Sequence, residues 1–313
     1  MNAGAYVGRF APSPTGPLHF GSLVAALASC LEARVRGGRW LLRLEDVDEP
    51  RCSPVAADQI LSALEQCGFA WDGETIVQSR RKALYGEALD RLRADGLVYA
   101  CACTRREMAD SALAIDGAAI YPGTCRNGLA PGKKARAWRL KVDDRALCFD
   151  DALQGRCCQD LAREVGDFVL LRADGYFAYQ LAVVVDDAEQ GITHVVRGAD
   201  LLASTPRQIY LQRLLGLATP AYAHLPVAVN AAGEKLSKQT LAEAIVPGAP
   251  ALVEALAFLG QKPPGDLRRA GVPEVWTWAL ANWSLAAVPQ RRSLSAEFPA
   301  GAVTGDADRQ PHD

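Results

Sequence analysis

An apolar segment, Tyr6 to Phe10, runs into the turn Ala11-Pro12-Ser13-Pro14-Thr15-Gly16-Pro17, and the chain then resumes as a helix whose apolar stripe is Leu23, Leu27 and Leu31. Prolines at 12, 14 and 17 can extend neither a ladder nor a helix interior, so strand, turn and helix are separate elements in a fixed order. Gly37-Gly38 stops the helix, and Trp40 to Leu44 reads as the next strand. Ser53-Pro54 then supplies an N-cap and a first-turn proline for a helix with Ile60, Leu61 and Leu64 inward. Ser79 likewise opens one carrying Leu84, Ala88 and Leu92, ended by Gly96. Short apolar strands alternating with capped helices are the mark of a parallel α/β sheet. A strand feeding a helix through such a turn puts backbone N–H groups at the sheet edge, where phosphate binds well.

From Val98 to Gln159 the periodicity is broken by Gly117, Pro122-Gly123, Gly128 and Pro131-Gly132, which predicts an inserted subdomain. Alternation then returns. Leu181–Val185, Thr193–Val196 and Pro226–Val229 read as buried strands, with a helix from Pro206 to Leu215. Helices are expected at Pro250–Leu259 and at Val272–Leu285, the latter with Trp276, Leu280 and Trp283 on one face. The expected division is 1–97 and 161–245 for two halves of one α/β domain, 98–160 for the insert, 246–298 for a short helical region and 299–313 for a disordered tail.

With 50% hydrophobic and 22% charged residues in 313, the chain is a globular protein and not a disordered one. No stretch approaches the roughly 18 apolar residues of a membrane span, and no basic segment followed by an apolar run opens the chain, so a cytoplasmic location without a membrane partner is expected. Of nine cysteines, Cys30, Cys52, Cys67 and Cys148 are scattered as reduced, packed thiols would be. Cys101, Cys103 and Cys125 are grouped, and three thiols in such a protein indicate zinc, structural in kind; Cys157-Cys158 fall outside the set. None of His19, His194, His224 and His312 lies in that segment, so the fourth donor is an oxygen or a water. Between Ser79 and Arg145 stand 14 Lys and Arg against 8 Asp and Glu, a net of +6 in a chain whose formal charge is −2. Such a local excess suits a polyanion.

Glu45, Asp46, Asp48 and Glu49 cluster at the carboxyl end of the second strand, where open α/β sheets bind ligands. Glu45 is placed to accept a substrate ammonium, whereas Asp48 and Glu49 suit a solvated loop. Arg9 and Arg197, each on a strand, are candidates for carboxylate, with Tyr179 as hydroxyl and wall. No GxxxxGK[ST] or GxGxxG follows a strand, which removes the usual competing nucleotide folds.

The run Gly8-Arg9-Phe10-Ala11-Pro12-Ser13-Pro14-Thr15-Gly16, with His19-Phe20-Gly21-Ser22, resembles the first signature of class I aminoacyl-tRNA synthetases in its glutamyl form. Lys235-Leu236-Ser237-Lys238-Gln239 resembles the second, a mobile lysine loop that closes over ATP. Ser22 stands where many members carry a second histidine, and Gln239 replaces a final serine. The resemblance implies an ATP site of Pro12, Gly16, His19, Gly21, Ser22, Lys235, Ser237 and Lys238. His19 and Lys238 would be catalytic, Lys238 neutralising the departing pyrophosphate, with magnesium accompanying ATP. It further implies a glutamate site of Arg9, Ala11, Ser13, Glu45, Tyr179 and Arg197, and Tyr121 as the fourth zinc ligand, one zinc per chain.

The resemblance spans roughly residues 5 to 245, leaving some seventy for everything else. In length and layout the chain is similar to the glutamyl-Q tRNA(Asp) synthetase family. That implies a Rossmann-type class I catalytic sheet with a zinc-bearing, acceptor-binding insert and a short helical end, acting as a monomer. The implied activity is ATP-dependent activation of L-glutamate and its transfer to the queuosine base in the anticodon loop of tRNA(Asp). The alternatives are a truncated glutamyl-tRNA synthetase charging the 3′ end of tRNA(Glu), an inactive zinc RNA-binding module, and a nucleotidyltransferase making a small amide.

Overall fold

The computed structural model describes residues 5–104, 106–108, 113, 117, 120–230, 232–235 and 244–296. The lysine-loop residues Ser237, Lys238 and Gln239, Arg105 and the tail from 299 lie outside them.

β1 (Val7–Phe10), α1 (Phe20–Val35), β2 (Arg39–Leu44), α2 (Pro54–Gln66) and β3 (Ile76–Val77) follow the expected order, and β1, β2 and β3 form a parallel sheet. A Cβ on Gly38 would lie 2.4 Å from the Tyr6 carbonyl oxygen, so glycine is required where α1 returns beside β1. Ser79 does not cap a helix. Its backbone N–H and hydroxyl both donate to the Asp46 carboxylate, at 2.7 and 2.6 Å, within a 3-10 turn leading into α3 (Lys82–Ala94). Asp46 thus anchors the chain after β3.

β4 (Val98–Cys101), β5 (Ala137–Leu140) and β8 (Val169–Leu171) make a separate antiparallel sheet at the root of the expected insert. β6 (Ala146–Asp151) and β7 (Gly155–Asp160), which the sequence reading put inside that insert, instead join a second sheet. In it β6 runs parallel to β10 (Ala221–Leu225), and β10 parallel to β9 (His194–Gly198). The antiparallel register of β6 and β7 sets Cys148 opposite Cys158, and the two are disulfide-bonded, contrary to the expectation that Cys148 is reduced. No periodicity argument could have set that register. Thr193 donates its backbone N–H to the Val7 carbonyl at 3.0 Å, bringing β9 alongside β1 so that the two sheets adjoin.

The expected strand Leu181–Val185 is a helix, α5 (Tyr179–Glu189), reached after the short α4 (Leu161–Glu164). Leu181 to Asp187 are all buried, and an unbroken apolar run carries no period to separate strand from helix. α6 (Thr205–Leu215) matches its expected span and ends at Gly216 in the left-handed region, φ 66°. β11 (Val227–Val229) follows, then α7 (Ala249–Phe258) and α8 (Val272–Asn282), and β12 (Ser293–Ser295) returns to pair in parallel with β11. In α8 the buried residues are Val275 and Ala279, while Leu280 is 41% exposed. Trp276 and Trp283 reach the body by donating to the Cys67 carbonyl and to Glu32, at 2.8 and 2.7 Å. No helix among the described residues is long and apolar enough to cross a membrane.

Candidate active site

The turn after β1 is held against its neighbours by backbone bonds of 2.9 Å from Glu45 N–H to the Pro12 carbonyl and from Ser53 N–H to the Pro14 carbonyl. It therefore closes over the carboxyl ends of β1, β2 and β9. A cavity of about 570 Å3 opens there. Arg9, Ala11, Pro12, Ser13, His19, Gly21, Ser22, Glu45, Tyr179, Arg197 and Lys235 all line it. Gly16 sits in the turn but not in the cavity wall.

His19 is the N-cap of α1: its Nδ1 accepts the Ser22 backbone N–H at 3.3 Å, and its Nε2 lies 3.0 Å from the Ser22 hydroxyl. Capping and lining the cavity are here one role, because a helix N-terminus open to a pocket favours an anion. Lys235 lines the same pocket, with its Nζ 2.6 Å from Asp200 Oδ2.

Beneath the cavity lies a buried ionic network centred on Arg43, whose side chain is fully enclosed. Arg43 donates to Asp187 Oδ1 at 2.7 Å, to Glu45 Oε1 at 3.1 Å and to the Gln190 side-chain oxygen at 2.6 Å. Arg9 has its Nε committed to Asp187 at 3.1 Å. The adjacent Asp186 takes Arg81, Tyr85 and Gln78 at 2.7, 2.7 and 2.8 Å. Burial raises the Glu45 carboxyl above its ordinary value, with Arg43 and Arg9 opposing; burial also works on Asp187, but Arg9 and Arg43 overcome it and hold that carboxyl low. The other strand-end acids are spent locally: Asp48 pairs with Arg51 and Arg172, and Glu49 with Lys82.

Arg197, at the end of β9, is 5% exposed. Its Nε donates to His224 Nε2 at 3.0 Å and its Nη2 to the Thr205 hydroxyl at 2.8 Å, whereas its buried Nη1 has no partner among the described residues. A cavity-lining guanidinium whose hydrogen-bonding capacity the protein leaves incomplete is a place for an anionic ligand group. Arg43, Asp186, Asp187, Asp151 and His224 were all missed as site residues from the sequence. The one available signal was the Asp186-Asp187 pair directly after an apolar run, where packing alone would not want two acids.

The three thiols of Cys101, Cys103 and Cys125 lie within 4.8 Å of one another. Around one tetrahedral ion, sulfur donors at about 2.3 Å and an oxygen at about 2.1 Å would stand roughly 3.8 Å (S to S) and 3.6 Å (S to O) apart. Cys103 and Cys125 sulfurs are 3.7 Å apart, and the Tyr121 hydroxyl is 3.5 Å from both Cys101 and Cys103 sulfurs. The cluster can therefore hold a metal ion. Arg139 backs it, donating to Cys101 Sγ at 3.3 Å with its guanidinium 3.9 Å over the Tyr121 ring. Nearby Arg106, Lys133, Lys134 and Arg136 are exposed.

The family described as tRNA synthetases class I (E and Q), catalytic domain, matches residues 6–248. The glutamyl-Q tRNA(Asp) synthetase of Aromatoleum aromaticum is 62% identical over 308 residues, covering 98% of this chain and 96% of that one. That of Dechloromonas aromatica is 63% identical over 293 residues, covering 92% and 97%. The crystal structure of the glutamate-tRNA synthetase from Elizabethkingia anophelis superposes with a TM-score of 0.76 at 26% identity, covering 95% of this chain but 68% of its own. The chain belongs to the glutamyl-Q tRNA(Asp) synthetase family of class I tRNA synthetases.

Proposed function

We propose that this protein activates L-glutamate with ATP and transfers the glutamyl group to the queuosine base in the anticodon of tRNA(Asp). The observation that carries the reading is the cavity that unites Glu45, Arg9, Arg197 and His19 in a chain aligned with nearly the whole of its glutamyl-Q relatives. In this reading the glutamate ammonium meets Glu45, and a carboxylate takes the Arg197 guanidinium, with Tyr179 as the wall. ATP lies along the turn after β1, its phosphates toward His19 and the α1 N-terminus, with Pro12, Gly21 and Ser22 beside it. Ala11 and Ser13 face the amino acid, and Gly16, in the turn, belongs to the ATP side.

The reacting carboxylate attacks the α-phosphate, an oxygen–phosphorus bond forms as pyrophosphate leaves, and the glutamyl adenylate results. Lys235 and Lys238 neutralise charge gathering on the leaving group, Lys235 by exchanging Asp200 for phosphate. Magnesium supplies further neutralisation when it arrives with ATP. The sulfur and hydroxyl spacing suits zinc, held structurally by Cys101, Cys103, Cys125 and Tyr121 to brace the insert. The exposed Arg106, Lys133, Lys134 and Arg136, with Arg105, then present cations to the phosphates of a tRNA loop. Pyrophosphate exchange with glutamate and no RNA tests the first half: exchange dependent on glutamate supports it, and none under any condition sinks it.

A further inference from the structure

Arg197 does not choose its own orientation. It and His224 are register partners on the parallel strands β9 and β10, and its Nε–H points at His224 Nε2. That nitrogen can accept only if it carries no proton, so the ring proton must be on Nδ1. Nδ1 lies 2.5 Å from Asp151 Oδ2, with both side chains fully buried. The other oxygen of Asp151 accepts three backbone N–H groups, of Leu153, Gln154 and His224, at 3.0, 2.9 and 3.1 Å. The carboxylate is therefore locked, and with it the tautomer. Thr205 completes the set: its hydroxyl accepts from Arg197 Nη2 at 2.8 Å and lies 3.1 Å from His224 Nε2.

Burial pushes His224 down to about 4, so the ring is neutral at physiological pH and free to accept. Burial opposes ionisation of Asp151 too, but the bonds from His224 and the backbone win and hold it below its ordinary value. A hydrogen-bonded chain thus runs from a fixed carboxylate through one imidazole to the guanidinium of Arg197, a residue of the cavity wall whose buried Nη1 has no hydrogen-bond partner among the described residues.

We propose that Asp151 and His224 are positioning residues which, by fixing the His224 tautomer, hold the Arg197 guanidinium in the cavity wall in the orientation that binds a substrate carboxylate and so set the affinity for the amino acid. This rests on glutamate occupying the Arg197 end of the cavity. Neither residue touches the substrate. Their effect is transmitted through one donor–acceptor match, which makes it separable from simple packing.

The test is the isosteric Asp151→Asn. Its amide oxygen keeps the three backbone donors, so its NH2 faces His224 and drives the ring proton to Nε2, where it meets Arg197 Nε–H head on. A mismatch of two buried donors predicts a glutamate KM in pyrophosphate exchange raised about tenfold or more. The ATP KM should stay within about twofold, and the nitrogen NMR shifts of the His224 ring should exchange. His224→Phe should raise the glutamate KM likewise, whereas His224→Gln, which keeps an acceptor near Arg197, should restore it to within about threefold. Arg197→Ala separates the two levels of the argument. If it leaves the glutamate KM unchanged, glutamate does not sit there and both readings fall. If it raises that KM while Asp151→Asn and His224→Phe do not, or while they raise both substrates' KM equally, only the relay falls. Should the Asp151→Asn chain not fold, the two His224 variants decide.

Discussion

Replacing Arg43 by methionine would remove the centre of the network under the cavity while keeping an unbranched side chain in its place. In the parent the guanidinium groups of Arg9, Arg43 and Arg81 face the carboxylates of Glu45, Asp186 and Asp187, so the buried charge balances. Arg43→Met leaves one negative charge in excess. Asp187 retains Arg9, and Asp186 retains Arg81, Gln78 and Tyr85, but Glu45 loses the guanidinium that donates to it at 3.1 Å. Breaking a buried ion pair by deleting one partner costs about 3–5 kcal/mol. At about 2–4 °C per kcal/mol for a chain of this order of size, thermal unfolding followed by circular dichroism should begin roughly 10 °C lower. Because the deficit is one of charge, Arg43→Met with Asp187→Asn should recover part of the loss, a coupling that a purely steric defect would not give. The glutamate KM should rise as well, since Glu45 is no longer held. A melting point within about 2 °C of the parent, with no gain in the double variant, would refute the balanced-network account.

Lys238→Ala should lower glutamate-dependent pyrophosphate exchange by about 3 kcal/mol in the barrier, on the order of a hundredfold, without changing the melting point; near-parental exchange would exclude the lysine loop from adenylation. Metal analysis of the purified chain should find about one zinc, and chelation or Cys101→Ser should depress transfer to RNA and stability more than adenylation. A zinc-free protein of full stability would remove that centre. Burial raises the Glu45 carboxyl, with Arg43 and Arg9 opposing, and an ammonium is bound only by its ionised form. The glutamate KM should therefore climb as pH falls, starting above the ordinary carboxylate range, while a KM flat down to that range contradicts Glu45 as the ammonium acceptor.

The sequence was most informative where local chemistry is self-sufficient. The Pro/Gly turn from Ala11 to Pro17 and the helix behind it follow from backbone restriction and periodicity, and the carboxyl ends of the strands then bring Arg9, Glu45 and Arg197 into one cavity. It was silent where a side chain's role depends on register between distant segments. Arg43 meets Asp187 across 144 residues, and Asp151 meets His224 across 73. Misreading α5 as a strand hid the first of these: on a strand Asp186 and Asp187 would point to opposite faces, and on the helix they bind two different sets of partners. The Cys148–Cys158 bridge was out of reach for the same reason, since it exists only once β6 and β7 pair.

Where the glutamate goes is tested on the acceptor. Radiolabelled glutamate, ATP and this protein should be incubated with tRNA(Asp) containing queuosine, with the same tRNA bearing unmodified guanosine, and with the queuosine form after enzymatic removal of its 3′ terminal nucleotides. Periodate is unsuitable as the 3′ block because it also attacks the queuosine diol. Label should enter the first and third RNAs and not the second, and its transfer should weaken with added salt more steeply than adenylation does. Loss of labelling on 3′ truncation, or equal labelling of the guanosine form, would contradict the anticodon assignment and make this a short synthetase that charges the 3′ end.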